Sequence, residues 1–244
     1  VTVTYKGTTS FPANTLVELQ LDAPGSDNWI NPEKFGNTIL DGYGNIRGTY
    51  PHMARINLGA PATASATAVV NASARAAAAT TVYTTPVVLD VPRTLACKSS
   101  TTDTTQTITV YGTDEYGVAM SEAFALNGTT AVVGNKAFKT VIKDKNDILL
   151  AGNLSIGTNA GGLGLPFFLP GGTTAAMGYI VKEIYDGTAP TAGTAIGGDV
   201  TAPATTTTKD VRGVYTPNTA PNAAHVYELL VMVGDPTHKG VTQV

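Results

Sequence analysis

The chain has 244 residues, with 15 Lys or Arg, 18 Asp or Glu and a formal net charge of −3 at pH 7. This balance argues against nucleic acid as the main partner and against an anionic membrane surface, because both need clustered basic residues. The one cysteine, Cys97, excludes an internal disulfide and a zinc site built on thiolates, and no apolar run approaches the ~20 residues of a membrane helix.

The composition predicts the fold class. Thr, Ala, Gly, Val and Pro dominate, aromatic residues make up 7% of the chain, and helix formers such as Glu, Lys and Leu are sparse. β-Branched residues favour strands, whereas Gly and Pro favour turns. We therefore predict one all-β domain over residues 1–244, an antiparallel β-sandwich or jelly roll with long Thr/Ala/Pro/Gly-rich arms and loops and little helix.

The first 80 residues are expected to form N-terminal strands and an extended arm. Strand patterns lie at residues 1–5, 15–21 and 53–58. The connection over residues 22–50 is rich in turn signals and carries Trp29 and Phe35, and so long a loop is usually functional or docked on something. Within the low-complexity stretch at 60–80, the run ASARAAAA at residues 72–79 is predicted to form two helical turns, because Ala is the best helix former.

Residues 81–187 are predicted to form the central sandwich, because strand signals follow one another here with short turns between them. In the strand at 136–143, one face is predicted to carry Phe138, Thr140 and Ile142, and the other Lys139, Val141 and Lys143. The sequence GTDEYG, residues 112–117, is predicted to be a strand-to-strand turn. Asp114 suits its capping position, and Gly117 suits closure with a positive φ.

The last part of the chain combines a low-complexity loop at 188–210 with a closing strand and tail at 211–244. Low-complexity segments cannot bury enough apolar surface alone to offset their ordering entropy. We therefore expect neighbouring subunits to order such segments.

The loop NAGGLGLPFFLPGG, residues 159–172, sets large apolar residues and two prolines between glycine pairs. A phosphate-binding loop needs GxxxxGK[ST], and no Lys follows here, while the prolines argue against the helix of a dinucleotide fingerprint. Membrane insertion is a further reading of the LPFFLP run. Burial in the protein's own core and burial at a subunit interface are the main alternatives.

Candidate residues for catalysis or metal binding are few. No ligand spacing links the three histidines, His52, His225 and His238. A paired-acid glycosidase site or a calcium site could use Asp114, Glu115 and Glu122, which flank one hairpin. The turn itself accounts for the first two acids, and Glu122 is expected to face solvent or a backbone partner. We predict no catalytic, cofactor-binding or metal-binding residue.

A set of motifs runs through residues 88–170. It leads from a Pro-Arg strand start to a G-T-D-x-Y-G turn, a Glu on the return strand, an x-F-K-x-V strand, G-x-x-x-x-G-T and L-G-L-P. The positions on this pattern are Pro92, Arg93, Gly112, Thr113, Asp114, Tyr116, Gly117, Glu122, Phe138, Lys139, Val141, Gly157, Thr158, Leu163, Gly164, Leu165 and Pro166. As a set, these motifs resemble a family of tailed-bacteriophage virion proteins of the capsid decoration, or cement, type.

The resemblance implies a β-sandwich-like virion component and not an enzyme. Such a protein is made in the host cytoplasm and sits on the capsid exterior as a homo-oligomer, such as a trimer. There it clamps neighbouring subunits of the major capsid protein. Low charge and an apolar loop fit the large, dry contacts this needs. The expected interface residues are Leu163, Leu165, Phe167, Phe168, Leu169, Trp29 and Phe35.

Two other functions remain open at this stage. The chain could be a head or tail fibre or adsorption module that binds host surface glycan through Trp29, Tyr43 and Tyr50. It could also be a virion-associated hydrolase that uses Asp114, Glu115 and Glu122.

Overall fold

The computed structural model describes residues 38–40, 46–49, 52–170, 180–188, 193–199, 209–233 and 236–241. The chain divides into two compact units, Val1–His52 and Met53–Val244. In the first unit, β1 (Thr38–Leu40) pairs antiparallel with β2 (Ile46–Thr49). Trp29, Phe35 and the predicted strands at 1–5 and 15–21 lie outside the described residues, and the single-domain boundary stays a prediction.

The remaining strands confirm the all-β, antiparallel prediction, and no helix occurs among the described residues. These strands are β3 (His52–Gly59), β4 (Val70–Ser73), β5 (Thr80–Ser99), β6 (Thr107–Thr113), β7 (Ala119–Ala125), β8 (Val132–Asn146), β9 (Leu154–Gly164), β10 (Ile180–Tyr185), β11 (Thr194–Gly197), β12 (Gly213–Thr216) and β13 (Tyr227–Val233).

Two sheets make up the second unit. An eight-stranded sheet has the order β11-β12-β9-β5-β8-β6-β7, with β4 paired alongside β9. A three-stranded sheet has the order β10-β13-β3. On one edge, β9 pairs with β4 near its start and with β12 near its end. On its other edge it pairs with β5, so β9 joins β11 and β12 to the rest of the larger sheet.

The apolar side chains form two cores. The first core lies around the three-stranded sheet, β12 and the glycine-rich loop, and includes Leu163, Tyr215 and Leu229. The second core lies within the eight-stranded sheet and includes Leu95, Ile108, Val110, Phe124 and Phe138. In β6, buried Ile108 and Val110 alternate with half-buried Thr and Tyr residues, the period expected when one face of a strand packs inward.

Irregular pairing between the two longest strands overturns one sequence prediction. The register of β5 and β8 shifts three times, and that of β6 and β8 shifts once between Tyr111 and Gly112. Extra residues of this kind bend a strand and change which face its side chains occupy. As a result Phe138 and Val141 are both buried while Ile142 is only half-buried, so the predicted alternation over residues 136–143 is wrong.

The alanine-rich stretch forms no helix, so the two helical turns predicted at 72–79 are wrong: Ala72 and Ser73 belong to β4, and residues 74–79 are irregular. The first part of the stretch packs against β9. We call residues 61–69 the strap. The Thr158 N–H donates to the Ser65 carbonyl at 2.9 Å, and the Val69 N–H donates to the Ile156 carbonyl at 3.0 Å. Gly157 permits this contact, because a Cβ there would lie 2.1 Å from the Ser65 oxygen. Hydrogen bonds within the chain therefore hold a segment for which we expected a neighbouring subunit.

Candidate functional site

The turn between β6 and β7 is built around Asp114. Its Oδ1 accepts hydrogen bonds from the backbone N–H of Tyr116 at 2.8 Å and of Val118 at 2.9 Å. Gly117 closes the turn with a φ of +78°, which glycine adopts without a Cβ clash. The predicted turn chemistry is confirmed, and Glu115 lies exposed within the turn.

A buried ion pair connects this turn to the residue before β12. Arg212 donates from Nη1 to Oδ2 of Asp114 at 2.9 Å and from Nε to the Leu165 carbonyl at 3.1 Å. The Arg212 and Asp114 side chains are 3% and 1% exposed. Because one guanidinium binds both the turn and the glycine-rich loop, it fixes the position of each relative to the other.

An aromatic side chain lies at the surface next to this ion pair. The Tyr116 hydroxyl donates to the Pro166 carbonyl and accepts a hydrogen bond from Nζ of Lys239 at 2.6 Å. The Lys239 ammonium also lies 4.1 Å from the centre of the Tyr116 ring, a cation–π distance. The cleft that they line holds about 310 Å³. The polar side chains that line it, Asp114, Tyr116, Arg212 and Lys239, form hydrogen bonds with other protein atoms. These bonds hold the walls of the cleft together.

The loop prediction for residues 159–164 is wrong, because β9 continues to Gly164; we keep the name glycine-rich loop for the described residues 159–170. This segment packs into the protein's own interior. Leu163, Leu165, Phe167 and Leu169 are 1%, 1%, 6% and 0% exposed and belong to the first core. Phe168 is only half-buried, and its ring lies 5.1 Å from that of His238. Burial in the core thus accounts for four of the five loop residues predicted for an interface, and their contact with a neighbour stays a prediction.

Backbone hydrogen bonds hold the same loop in place. The Leu165 N–H donates to the Gly213 carbonyl at 3.1 Å, and the Leu169 N–H donates to the Arg212 carbonyl at 2.9 Å. The Phe168 N–H donates to the His238 carbonyl at 2.7 Å. The loop is therefore fixed on two sides, by the residues around β12 and by residues near the end of the chain.

Glu122 is buried and bound to backbone, one of the two environments predicted for it. Its Oε1 accepts from the N–H groups of Asn135 at 2.5 Å and Lys136 at 3.3 Å, where β8 bulges away from β5. Gly134 leaves room for the carboxylate, since a Cβ there would lie 2.3 Å from Oε2. Burial raises the pKa of Glu122 to about 7, although the backbone donors and Lys136 oppose the shift.

A second buried carboxylate binds the same bulge. Oδ2 of Asp210 accepts from the Ala137 N–H at 3.0 Å, and Oδ1 accepts from the Arg212 N–H at 2.9 Å. Burial raises the pKa of Asp210, and burial lowers the pKa of the fully buried Lys136 ammonium nearby. Nothing in the sequence indicated Asp210, because it is the last residue of a low-complexity stretch without periodicity.

A third buried network lies at the far end of β8. Arg75 binds Asp144 through two hydrogen bonds, from Nε at 2.7 Å and from Nη2 at 2.8 Å, and the Tyr83 hydroxyl donates to Asp144 at 2.8 Å. Burial, together with the Asp144 charge, raises the pKa of Tyr83. A signal for Asp144 existed in the sequence, because it stands between two lysines and so faces away from them on a strand.

The other candidate residues lie apart from one another. His225 contacts Asp186 through Nδ1, Cys97 is buried in the second core, and the side chain of His52 lies outside the described residues. Among the described residues, no group of three or more His, Cys, Asp or Glu side chains could hold a metal ion. The same part of the chain contains no helix that could cross a membrane.

Comparisons of the chain with protein-family models, with curated proteins and with solved structures find no match.

Proposed function

We propose that this chain is a structural virion protein that decorates and stabilises a bacteriophage capsid. It acts on the capsid exterior as a homo-oligomer and clamps neighbouring subunits of the major capsid protein. The motif set between residues 88 and 170 supports this proposal. Several motif residues tie elements together: Gly112 lets Thr140 approach, Asp114 caps the turn, and Glu122 binds the bulge of β8.

The observation that carries the proposal is that the buried acids Asp114 and Glu122 use their carboxylate oxygens in hydrogen bonds within the protein. Oδ1 of Asp114 accepts two backbone N–H groups and Oδ2 accepts from Arg212. Both oxygens of Glu122 lie within hydrogen-bond distance of backbone N–H groups. A hydrolase needs acids that reach the substrate, whereas acids bound in this way stabilise a fold. This favours a structural role over the hydrolase reading.

The copy number of the protein in purified particles tests the proposal. Quantitative mass spectrometry gives its ratio to the major capsid protein. A ratio comparable to that of the shell protein supports a cement role over the whole capsid surface. A small ratio, matching one vertex or the tail, would contradict it and support the alternative of a fibre or adsorption module that binds host glycan.

A further inference from the structure

Four neighbouring strands of the larger sheet separate their charges between two faces. Strand pairing places Val82, Lys143, Tyr111 and Ser121 side by side in one row across β5, β8, β6 and β7. Lys145, Thr109 and Ala123 form a second row. Directly opposed residues of an antiparallel sheet share a face, so these two rows lie on one side of the sheet.

The row between them faces the interior. It contains Asp144, Val110 and Glu122, which are 0%, 0% and 3% exposed. Both acids are held there, Asp144 by Arg75 and Glu122 by the backbone of β8. The outward rows are accessible: Lys145 is exposed, Lys143 is half-buried, and Val82 is 65% exposed. In these strand segments the acids thus point inward and the lysines point outward.

No carboxylate neutralises the two outward lysines within the part of the chain that the structure describes. The Lys143 ammonium lies 4.7 Å from the centre of the Tyr111 ring, which positions the charge without cancelling it. Apart from Asp144, which points inward, the acids closest to these strand segments are in turns. Asp147 follows β8 and accepts the N–H groups of Thr107 and Ile148, and Glu115 lies in the turn after β6.

We propose that this outward side, which we call the lysine face, docks onto an acidic protein surface. Apart from the two lysines, its rows consist of Val, Tyr, Thr, Ser and Ala, which suit a flat contact with a polar rim. A positive face on a chain of net charge −3 steers an acidic partner to this side. A phosphate backbone is the less suitable partner, because nucleic-acid binding needs more clustered cations than two.

This inference rests on the proposed function, under which the acidic surface belongs to the major capsid protein. The test compares full-length wild type with the charge-reversal variant Lys143→Glu/Lys145→Glu. A matched control, Lys98→Glu/Lys182→Glu, changes the net charge equally at positions outside the two rows. A neutral variant, Lys143→Gln/Lys145→Gln, covers the case in which charge reversal impairs folding.

The first probe is purified capsids that lack the protein. We expect charge reversal on the lysine face to weaken capsid binding about tenfold or more, the neutral variant to weaken it less, and the control to change it less than about twofold. Wild-type affinity should also fall with increasing salt. Equal weakening by both charge reversals, or no weakening by either, would overturn the lysine face while leaving the capsid role intact.

Two further probes separate this inference from the proposed function. If wild type does not bind capsids, the capsid role fails, and an immobilised poly-glutamate matrix decides the lysine face alone. If the matrix retains wild type and the control but not the Lys143/Lys145 variants, the lysine face is supported. If the matrix also retains the Lys143/Lys145 variants, the lysine face is overturned. The last probe is duplex DNA. Tighter binding of wild type to DNA than to poly-glutamate would overturn the acidic-protein assignment in favour of nucleic acid.

Discussion

The carboxyl group of Glu122 has the raised pKa that catalytic acids often show, yet its surroundings are those of a structural group. Burial penalises the charged form and raises the pKa to about 7. The oxygens receive the backbone N–H groups of Asn135 and Lys136, at the point where the pairing of β8 with β5 is irregular. Buried N–H groups without an acceptor are costly, and Glu122 provides that acceptor.

This environment predicts a specific pH dependence for Glu122→Gln. The pKa is raised from 4.5 to about 7 on folding, so the folded state holds the proton more tightly. The contribution of Glu122 to stability is fully present below about pH 4.5 and is lost as the pH rises through about 7. We expect the unfolding free energy of wild type to fall relative to the variant by about 3 kcal/mol over this window. Urea unfolding at a series of pH values measures it.

Asp103→Asn is the matched control, because its carboxyl shifts the opposite way. Burial raises its pKa, but the Ser99 hydroxyl and the N–H groups of Ala151 and Gly152 outweigh this and lower it. Its contribution to stability is present above pH 3.8 and is lost as the pH falls through the depressed value. The unfolding free energy of wild type should therefore rise relative to this variant only as the pH rises towards about 3.8, and the difference should stay constant between about pH 4.5 and 7. Identical trends in the two series would contradict both assignments.

Two adjacent phenylalanines of the glycine-rich loop should respond differently to the same substitution. Phe167 is 6% exposed in the first core, so Phe167→Asp buries an unpaired charge, and we expect it to lower the midpoint of thermal unfolding severely. Phe168 is half-buried beside His238, so Phe168→Asp should preserve most of the stability.

Phe168→Asp is therefore the variant that tests the loop as an interface. The proposed function predicts weaker self-association in analytical ultracentrifugation or weaker capsid binding for this variant. Unchanged values for both would remove the loop from the interface. An equal loss of stability in the two variants would contradict the placement of Phe168 near the surface.

At the scale of the element, strand patterns were predictable where one face packs evenly. The alternation of β6 and the chemistry of the turn at 112–117 follow from local sequence, because strand period and turn type depend on neighbouring residues. The bulges of β8 and the burial of Glu122 and Asp210 did not follow from it. They depend on contacts between residues far apart in sequence, which periodicity does not record.

The strap provides the clearest case, and Gly157→Ala tests it. Residues 65–69 of the strap can lie against β9 because Gly157 has no Cβ to meet the Ser65 carbonyl. An added methyl at 2.1 Å from that oxygen must displace the strap. We expect a loss of about 1–3 kcal/mol in unfolding free energy, typical of overpacking, and faster hydrogen exchange at the Thr158 and Val69 amides.

Gly59→Ala is the corresponding control. A Cβ there would meet nothing within 4 Å, and its only cost is the positive φ of +70°. The Thr158 and Val69 amides should keep their protection in this variant. If Gly157→Ala left that protection unchanged as well, the strap would not depend on the close approach to β9.

On the scale of the second unit, buried polar contacts connect the two apolar cores. Asp114 directly follows β6, a strand whose buried side chains belong to the second core. Arg212 binds both Asp114 and the carbonyl of Leu165, a residue of the first core. Asp210 adds a second connection through the Ala137 N–H of β8. Apolar packing alone is non-directional, whereas these contacts specify how the strands around β12 sit against the hairpin of β6 and β7.

The Asp114–Arg212 ion pair should therefore couple the stability of the two cores. Arg212→Met leaves Oδ2 of Asp114 buried without its cationic partner, which typically costs about 3–5 kcal/mol. Asp114→Ala also removes the turn cap, but the double variant leaves no unpaired charge. We expect the double variant to be more stable than the sum of the single losses predicts, by about 1–3 kcal/mol. Urea unfolding of the four proteins gives this coupling energy, and hydrogen exchange at the Leu165 and Val118 amides locates it. Strictly additive losses, with each amide responding only to the substitution on its own side, would mean that the two cores are stabilised independently and that the ion pair merely fills space between them.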